Sequence, residues 1–431
     1  MKKYFLFMIL LAPTIVIPPA VLAQWTKTIL PDPPYGHGSL PGRVNALAAD
    51  GSSMYAGTLG GNIYLSLDDG TSWTLIDSGL TNSDITAMLP ANGSLYVGAY
   101  GNVANATYGS FGQGSGLYMT SDSGRSWRKA GASLADSEVY TITGIDSDVV
   151  VGTWGGGTYV SSDRGATWIA VGQDQGLTSQ YIRTLAVGGI RIFAGTWGDG
   201  VFFSDDHGQS WTQSNLGINN LFVNSIITDG PNVYMGNTEG VYKSTDGGFS
   251  WTLQDSGLAT NYVNTFILIK PNLILGTSGE GVFVSADNGQ SWMRADTGLT
   301  DGYIYCFAYN GSRIFAGSVN GEVWSRPIGE IVTEINNNWR NDIAASFKLE
   351  QNYPNPFNPS TRISYELKSA GHVRLSVFDV SGKLVATLID RTQIAGHHDI
   401  TFDGSHVASG VYMYRIEIGS FVSTRKMVLI K

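Results

Sequence analysis

SLDDGTSW, residues 66–73, returns five more times along the chain. TSDSGRSW follows at 120–127, SSDRGATW at 161–168, SDDHGQSW at 204–211, STDGGFSW at 244–251 and SADNGQSW at 285–292. The shared pattern is Ser-x-Asp-x-Gly-x-Ser-Trp. Its tryptophans, Trp73, Trp127, Trp168, Trp211, Trp251 and Trp292, stand 54, 41, 43, 40 and 41 residues apart. A period near 40 marks a repeat architecture, in which each unit buries its apolar face only against its neighbours.

Around each copy the sequence spells four short strands. In one unit, Ile182 to Val187 alternates, Gly188-Gly189 turns the chain, and Arg191 to Thr196 forms a second strand. Trp197-Gly198-Asp199-Gly200 is a loop, Val201 to Ser204 a third strand, and Trp211-Thr212-Gln213 the fourth. Counting second strands gives seven units: YAGT (55–58), YVGA (96–99), VVGT (150–153), FAGT (193–196), YMGN (234–237), ILGT (274–277) and FAGS (315–318). Only six Asp motifs exist, and the seventh unit runs out at Pro327. Gln24-Trp25-Thr26-Lys27 resembles the Ser-Trp-Thr that opens the fourth strand elsewhere. The N-terminus is therefore expected to supply the last unit's missing strand and close the ring.

Composition agrees with many short strands and tight turns: of 431 residues, 55 are Gly, 14% are charged and 11% are aromatic. The net charge of −9, with no basic run, argues against nucleic acid as a partner. A single cysteine, Cys306, excludes an internal disulfide and multi-cysteine metal sites, and its place in an inner strand reads as a small buried hydrophobe. Residues 1–23 carry Lys2 and Lys3 ahead of an apolar stretch ending Val21-Leu22-Ala23, the form of a secretory signal peptide cleaved before Gln24. No other segment is apolar for long enough to span a bilayer, so the mature chain is expected outside the cytoplasm, without a membrane span and as a monomer.

The repeat region, about 305 residues from 24 to 328, resembles the Asp-box (BNR-repeat) β-propellers. That resemblance implies an all-β fold, a seven-bladed β-propeller, but no single activity. Its members include sialidases, xyloglucan-type glycosidases, sortilin-like receptors and photosystem II assembly factors. Asp68, Asp122, Asp163, Asp206, Asp246 and Asp287 are read as structural: each carboxylate can accept turn N–H groups, and Gly70 and its equivalents permit positive φ. Six or more oxygen ligands for calcium are not available in any one motif, so no metal or cofactor is expected.

A ligand site is sought at the opposite end of the sheets. The loops between strands two and three offer Tyr100, Trp154 and Trp197, then Asp199, Glu239, Glu280 and Glu322. The lead-ins to inner strands offer Tyr181, Phe222, Tyr262 and Tyr303, with Arg43 and Arg183 near Asn45, Asn224 and Asn264. A Gly-, Ser- and Asn-rich insert between Ala99 and Leu117 sits on the same side. Tyr100, Trp154, Trp197, Asp199, Arg183, Glu239 and Glu280 form the candidate ligand-binding set, the two tryptophans being able to stack on a sugar or a partner's side chain. No catalytic residue is assigned. A sialidase needs an arginine cluster and an Arg-Ile-Pro motif, and Leu40-Pro41-Gly42-Arg43-Val44 is no match. A xyloglucanase-like pair would be Asp199 with Glu280 or Glu322, but that family's cleft loops and second propeller are missing. The favoured reading is a non-catalytic protein binding an extracellular glycan or protein ligand. The alternatives are a glycoside hydrolase and an envelope-complex assembly factor.

Residues 329–347 read as a linker, with Asn336-Asn337-Asn338 breaking the period. Residues 348–431 open a second domain of alternating strands, an Ig-like β-sandwich. This part resembles the type A C-terminal sorting domain of the type IX secretion system through Asn352 to Thr361, Asp379 to Val385, Ser409-Gly410-Val411-Tyr412 and Lys426 to Lys431. The resemblance implies passage through the periplasm and the outer-membrane translocon, removal of the domain, and release or display at the cell surface.

Overall fold

Each repeat folds as one antiparallel four-stranded sheet, for reasons local to its sequence. In the fourth, Ile182–Gly188, Arg191–Thr196, Val201–Ser204 and Thr212–Gln213 pair in that order. Short β-branched and aromatic runs suit a pleated, buried surface, and Gly189, at φ 68°, turns the first hairpin. The computed structural model describes the chain outside residues 1–23, 33–41, 78–79, 81–82, 102–115, 132–133, 135–136, 259–261, 332–346, 368–370, 394–395 and 420. The expected signal peptide, most of the insert after Ala99 and most of the expected linker therefore lie outside the described residues. Two compact units appear, Met1–Val332 and Thr333–Lys431.

Seven four-stranded sheets make up the first unit among the described residues. Their inner strands are Val44–Asp50, Ser83–Ala91, Val139–Ile145, Ile182–Gly188, Ser225–Asp229, Val263–Ile269 and Cys306–Tyr309. Each touches the next, and Cys306–Tyr309 touches Val44–Asp50, so the series closes on itself. The seventh sheet takes its outer strand from the N-terminus: Thr26–Ile29 pairs antiparallel with Glu322–Pro327, Thr26 facing Ser325 and Ile29 facing Glu322. Cys306 is buried there, and burial pushes its thiol pKa up, as for a packed hydrophobe.

The sheets lock together through the glycine of each second strand. A Cβ on Gly195 would stand 2.5 Å from Val223 Cγ1 of the next sheet. The same approach recurs between Gly57 and Ile85, Gly98 and Val139, Gly152 and Ile182, Gly236 and Val263, Gly276 and Ile304, and Gly317 and Val44. One β-branched residue thus fills the hole left by one missing side chain at every joint, including the joint that closes the ring. The packing is dry and shape-specific, the regime in which one added methyl is felt.

The six Asp motifs form identical turns between third and fourth strands. Asp68 Oδ1 accepts from the Ser72 N–H at 2.8 Å and from the Ser66 hydroxyl at 2.8 Å, while Oδ2 accepts from the Ser72 hydroxyl at 2.6 Å. The pattern repeats at Asp122, Asp163, Asp206, Asp246 and Asp287. Two consecutive residues take positive φ, for example Asp69 at 55° and Gly70 at 76°, which explains the glycine. Asp68, Asp122 and Asp163 are held at about 2 against an ordinary 3.8, chiefly by the Ser72, Ser126 and Thr167 hydroxyls.

A carboxyl depressed in the folded state stabilises above its unfolded pKa and loses that contribution as pH falls through its folded one. The melting temperature should therefore drop between about pH 4 and about pH 2. Asp122→Asn should flatten part of that drop in pH-dependent thermal melts.

The second unit has two antiparallel sheets, one of Lys348–Leu349, Ser360–Leu367 and Gly396–Asp403, the other of Leu384–Gln393, Gly371–Asp379, Gly410–Ile418 and Phe421–Leu429. Both contribute to one core that includes Ile363, Tyr365, Leu375, Tyr414 and Met427. Three motifs distant in sequence meet there. The Asn352 side chain donates to Thr361 Oγ1 at 2.9 Å, closing the Pro-rich loop on itself. The Tyr414 hydroxyl accepts from the Asn352 N–H at 2.8 Å and donates to the Glu350 carbonyl at 2.7 Å. Phe357 N–H donates to the Val428 carbonyl at 2.9 Å, and Ile430 N–H returns to Phe357 at 3.0 Å, so the final strand is gripped by the opening motif.

Candidate functional site

Each inner strand of the first unit has a buried β-branched residue at its first position or within two residues of it: Val44, Ile85, Val139, Ile182, Val223, Val263 and Ile304. The residues on either side of it form two stacked rings. The inner ring, one position later, is Asn45, Thr86, Tyr140, Arg183, Asn224, Asn264 and Tyr305, all of which line one cavity of about 830 Å³. In five sheets the ladder register slips across this position, between Val44 and Ala46, Ile85 and Ala87, Val139 and Thr141, Ile182 and Thr184, and Val263 and Thr265. A bulge frees one residue from pairing and re-aims it. Here it turns a residue of each of these five inner strands into the cavity.

The outer ring, one position earlier, is Arg43, Asp84, Glu138, Tyr181, Phe222, Tyr262 and Tyr303. Three successive sheets give charges and four give aromatics. Tyr181, Phe222 and Tyr303 are each more than two-fifths exposed. The loop after each second strand is stitched to this ring. Trp154 bridges to Tyr181 and Trp197 to Phe222 of the following sheet, and Ser278 to Tyr303. The Trp154 N–H donates to the Glu138 carbonyl at 2.8 Å and the Trp197 N–H to Tyr181 at 3.0 Å.

These contacts build a continuous aromatic wall. Tyr100 and Tyr140 lie 6.3 Å apart, Tyr140 and Trp154 5.6 Å, Trp154 and Trp197 5.8 Å, and Trp197 and Phe222 5.2 Å between ring centroids. The Arg183 guanidinium lies 4.9 Å from the Tyr140 ring and 5.4 Å from the Trp197 ring, and its Nη1 donates to the Tyr140 hydroxyl. Arg43 sits 4.7 Å from the Tyr305 ring and donates to Asn45 Oδ1 at 2.6 Å. Among the described residues no carboxylate forms an ion pair with either arginine. Aromatic faces hold each guanidinium in place while leaving N–H groups for a ligand.

Two carboxyl groups stand in the same part of the wall, Asp84 paired with Tyr100 and Glu138 beside Trp154. Asp84, only 8% exposed, accepts from the Gly60 N–H at 2.8 Å. Burial raises its pKa, against the pull of that N–H and of Arg43. Burial also raises Glu138. The Tyr100 hydroxyl is raised by burial first, then by Glu138, Tyr140 and Asp84. Asp84, Arg43 and Arg183 thus line one mouth with Glu138 beside it, at a volume suited to a small ligand or a chain segment.

Of the residues singled out in the sequence, Tyr100, Trp154 and Arg183 line the cavity, together with Arg43, Asn45, Asn224, Tyr262, Asn264 and Tyr303. Trp197 packs on Arg183 at its edge. Asp199, Glu239 and Glu280 are not brought to it. The Asp199 carbonyl accepts from Gln213 and Asn215, Glu239 accepts from Tyr242 at 3.1 Å, and Glu280 pairs with Arg294 at 3.3 Å, all toward third or fourth strands or the residues just beyond them. Glu322 likewise pairs with Lys27 at 2.9 Å. Asp84, Glu138, Tyr140 and Tyr305 were missed, although they stand in register with residues that were found. The signal was available: the neighbours of the β-branched residue at or near the start of each inner strand. Among the described residues no cluster of His, Cys, Asp or Glu could hold a metal ion, and no helix is long and apolar enough to cross a membrane.

Residues 351–431 match the family model described as the secretion system C-terminal sorting domain. The second unit is a type IX secretion sorting domain. With that sorting domain the protein is exported to the cell surface or secreted. No curated protein matches the chain. Among solved structures it is similar to YCF48 bound to D1 peptide, at 16% identity and TM-score 0.55 over 74% of this chain and 99% of that one. It is similar to PorZ, a bacterial surface component of the type IX secretion system of Porphyromonas gingivalis, at 15% identity and TM-score 0.53, over 93% of this chain and 61% of PorZ. It is also similar to virginiamycin B lyase from Staphylococcus aureus, at 10% identity and TM-score 0.58 over 70% and 99%. At such identities the likeness establishes the fold: the unit that precedes the sorting domain is a β-propeller.

Proposed function

We propose that this protein is a seven-bladed Asp-box propeller, spanning residues 24–328 behind a signal peptide. A linker at 329–347 and an Ig-like sorting domain at 348–431 follow. In this reading it acts outside the cell without catalysis, binding an extracellular glycan or protein ligand at the mouth of its central channel. One observation carries the reading: Tyr100, Trp154, Arg183 and Arg43 line one cavity with Trp197 at its edge, and among the described residues neither arginine has a carboxylate partner, while the Asp turns are saturated with their own hydrogen bonds. Export by the sorting domain and the likeness to a surface component of a secretion system support a role at the cell exterior. A propeller of similar fold bound to a peptide supports the use of this scaffold for binding, as an assembly factor would require. In the proposed site Asp84 and Glu138 take the place of Asp199, Glu239 and Glu280.

A second reading, glycoside hydrolysis, is favoured by one observation. Asp84 and Glu138 are carboxyls raised by burial beside one cavity, as a general acid must be. The secreted protein presented with a panel of polysaccharides, oligosaccharides and peptides separates the two. Retention without new reducing ends is the expected result. Release of sugar ends that disappears in Asp84→Asn or Glu138→Gln would install the hydrolase instead.

A further inference from the structure

The channel neck contains one orphan. Asn224 is 6% exposed and donates from Nδ2 to the Val263 carbonyl at 2.9 Å, yet its Oδ1 has no hydrogen-bond partner. The next sheet shows what is missing. Asn264 makes the same bond, Nδ2 to the Ile304 carbonyl at 3.0 Å, and its Oδ1 accepts from the Ser278 hydroxyl at 3.0 Å. The residue equivalent to Ser278 in the Asn224 sheet is Thr238, whose Oγ1 accepts from the Asn220 side chain at 2.8 Å and makes no bond to Asn224. Among the described residues the Asn224 acceptor is left open within the cavity lining, where a buried unmade bond is costly.

Its neighbour in the ring, on the preceding sheet, is Arg183, a donor with N–H groups to spare. An open acceptor beside an open donor is complementary to one residue of an extended chain, which shows its N–H and its C=O on the same edge. The aromatic wall points the same way. A sugar stacks on a free aromatic face, but the Trp197 ring carries Arg183, and Trp154 is met by Tyr140, Tyr181 and Trp197. Tyr303, Tyr181 and Phe222 are the most exposed rings of the rim. Tyr181 and Phe222 stand two residues before Arg183 and Asn224, respectively, and Phe222 has no polar atom to offer a hydroxyl. They form a seat for an apolar side chain.

We propose that the channel mouth reads the main chain of an extended polypeptide. Asn224 Oδ1 accepts a backbone N–H, Arg183 donates to the carbonyl of the same residue, and Tyr181 with Phe222 holds a neighbouring apolar side chain. Recognition through the backbone tolerates many sequences. This inference rests on the channel-mouth reading above.

The test uses the intact secreted protein to enrich short peptides from a random displayed library, beside an array of neutral and acidic oligosaccharides. The enriched peptide is then made with each backbone amide N-methylated in turn. At one position N-methylation should weaken binding to the wild type about tenfold, the worth of one buried hydrogen bond, and should cost almost nothing against Asn224→Leu. Arg183→Met, which keeps a long side chain in the channel, should bind the unmodified peptide about tenfold more weakly while retaining the N-methyl penalty. Melting temperatures establish that both variants fold. An N-methyl penalty that survives in Asn224→Leu, or its absence at every position, overturns the proposal. Oligosaccharides retained through Trp154 and Trp197 with no peptide enriched would overturn main-chain reading while leaving the channel-mouth site standing. Retention of neither class would overturn both.

Discussion

Trp25→Ala should destabilise the propeller by about 3–5 kcal/mol, the cost of truncating a fully buried tryptophan. The expectation rests on what Trp25 replaces. In three Asp turns the indole Nε1 crosses to the preceding sheet: Trp127 to the Ile76 carbonyl at 2.7 Å, Trp251 to Ser214 at 3.1 Å and Trp292 to Gln254 at 3.1 Å. Each acceptor lies three residues beyond the preceding tryptophan. Trp25 Nε1 bonds the Ala295 carbonyl at 2.8 Å, three residues beyond Trp292, and the Trp25 N–H bonds Thr297 at 2.8 Å as the Trp292 N–H bonds Ser256. The N-terminal segment thus supplies the seventh tryptophan as well as the seventh outer strand. Its loss opens the ring where the two ends of the array meet. Denaturant unfolding of Trp25→Ala against Ile29→Ala, an exposed residue of the same strand, should show a large shift for the first and little for the second.

Deleting Lys426 to Lys431 should abolish export, leaving the protein inside the cell and absent from medium and surface fractions. The segment is half of the final strand. It carries Met427 and Leu429, both buried in the core of the sorting domain, and Lys431, whose Nζ reaches the Ser405 carbonyl at 2.7 Å. Removing it also strips Phe357 of its two backbone bonds to Val428 and Ile430, so the opening motif loses its anchor. Two buried apolar side chains at about 2–5 kcal/mol each exceed what a domain of this size can spare. Lys431→Ala, which removes one exposed contact, should leave export intact. Immunoblots of cell, surface and medium fractions check both.

Much of this was legible in the residues themselves. The repeat period, the four strands of each unit and the N-terminal strand in the seventh sheet follow from motifs that recur in register, because a repeat must solve one packing problem many times. The second-strand glycines were visible as a pattern in YAGT and its equivalents. That they receive Val or Ile from the next sheet was not visible, since the partner is about 30 residues away. At the candidate site the loops were legible as a group, but which of their residues line the cavity was not. Glu239 and Glu280 turn to Tyr242 and Arg294, and Asp199 does not line the cavity, which period-2 alternation cannot foretell. The bulges that aim Asn45, Thr86, Tyr140, Arg183 and Asn264 inward are likewise invisible, because one slipped residue leaves the apolar pattern intact.

The central claim is a binding site at the channel mouth. Its most direct measurement is the affinity of a ligand retained by the secreted protein for the wild type and for Trp154→Ala/Trp197→Ala, with melting temperatures alongside. The double variant removes the middle of the aromatic wall and one face of the seat of Arg183, at some cost in melting temperature. At least tenfold weaker binding at a temperature where the double variant remains folded is the result this account predicts. Equal affinity in a folded double variant would contradict it and move the site elsewhere on the propeller.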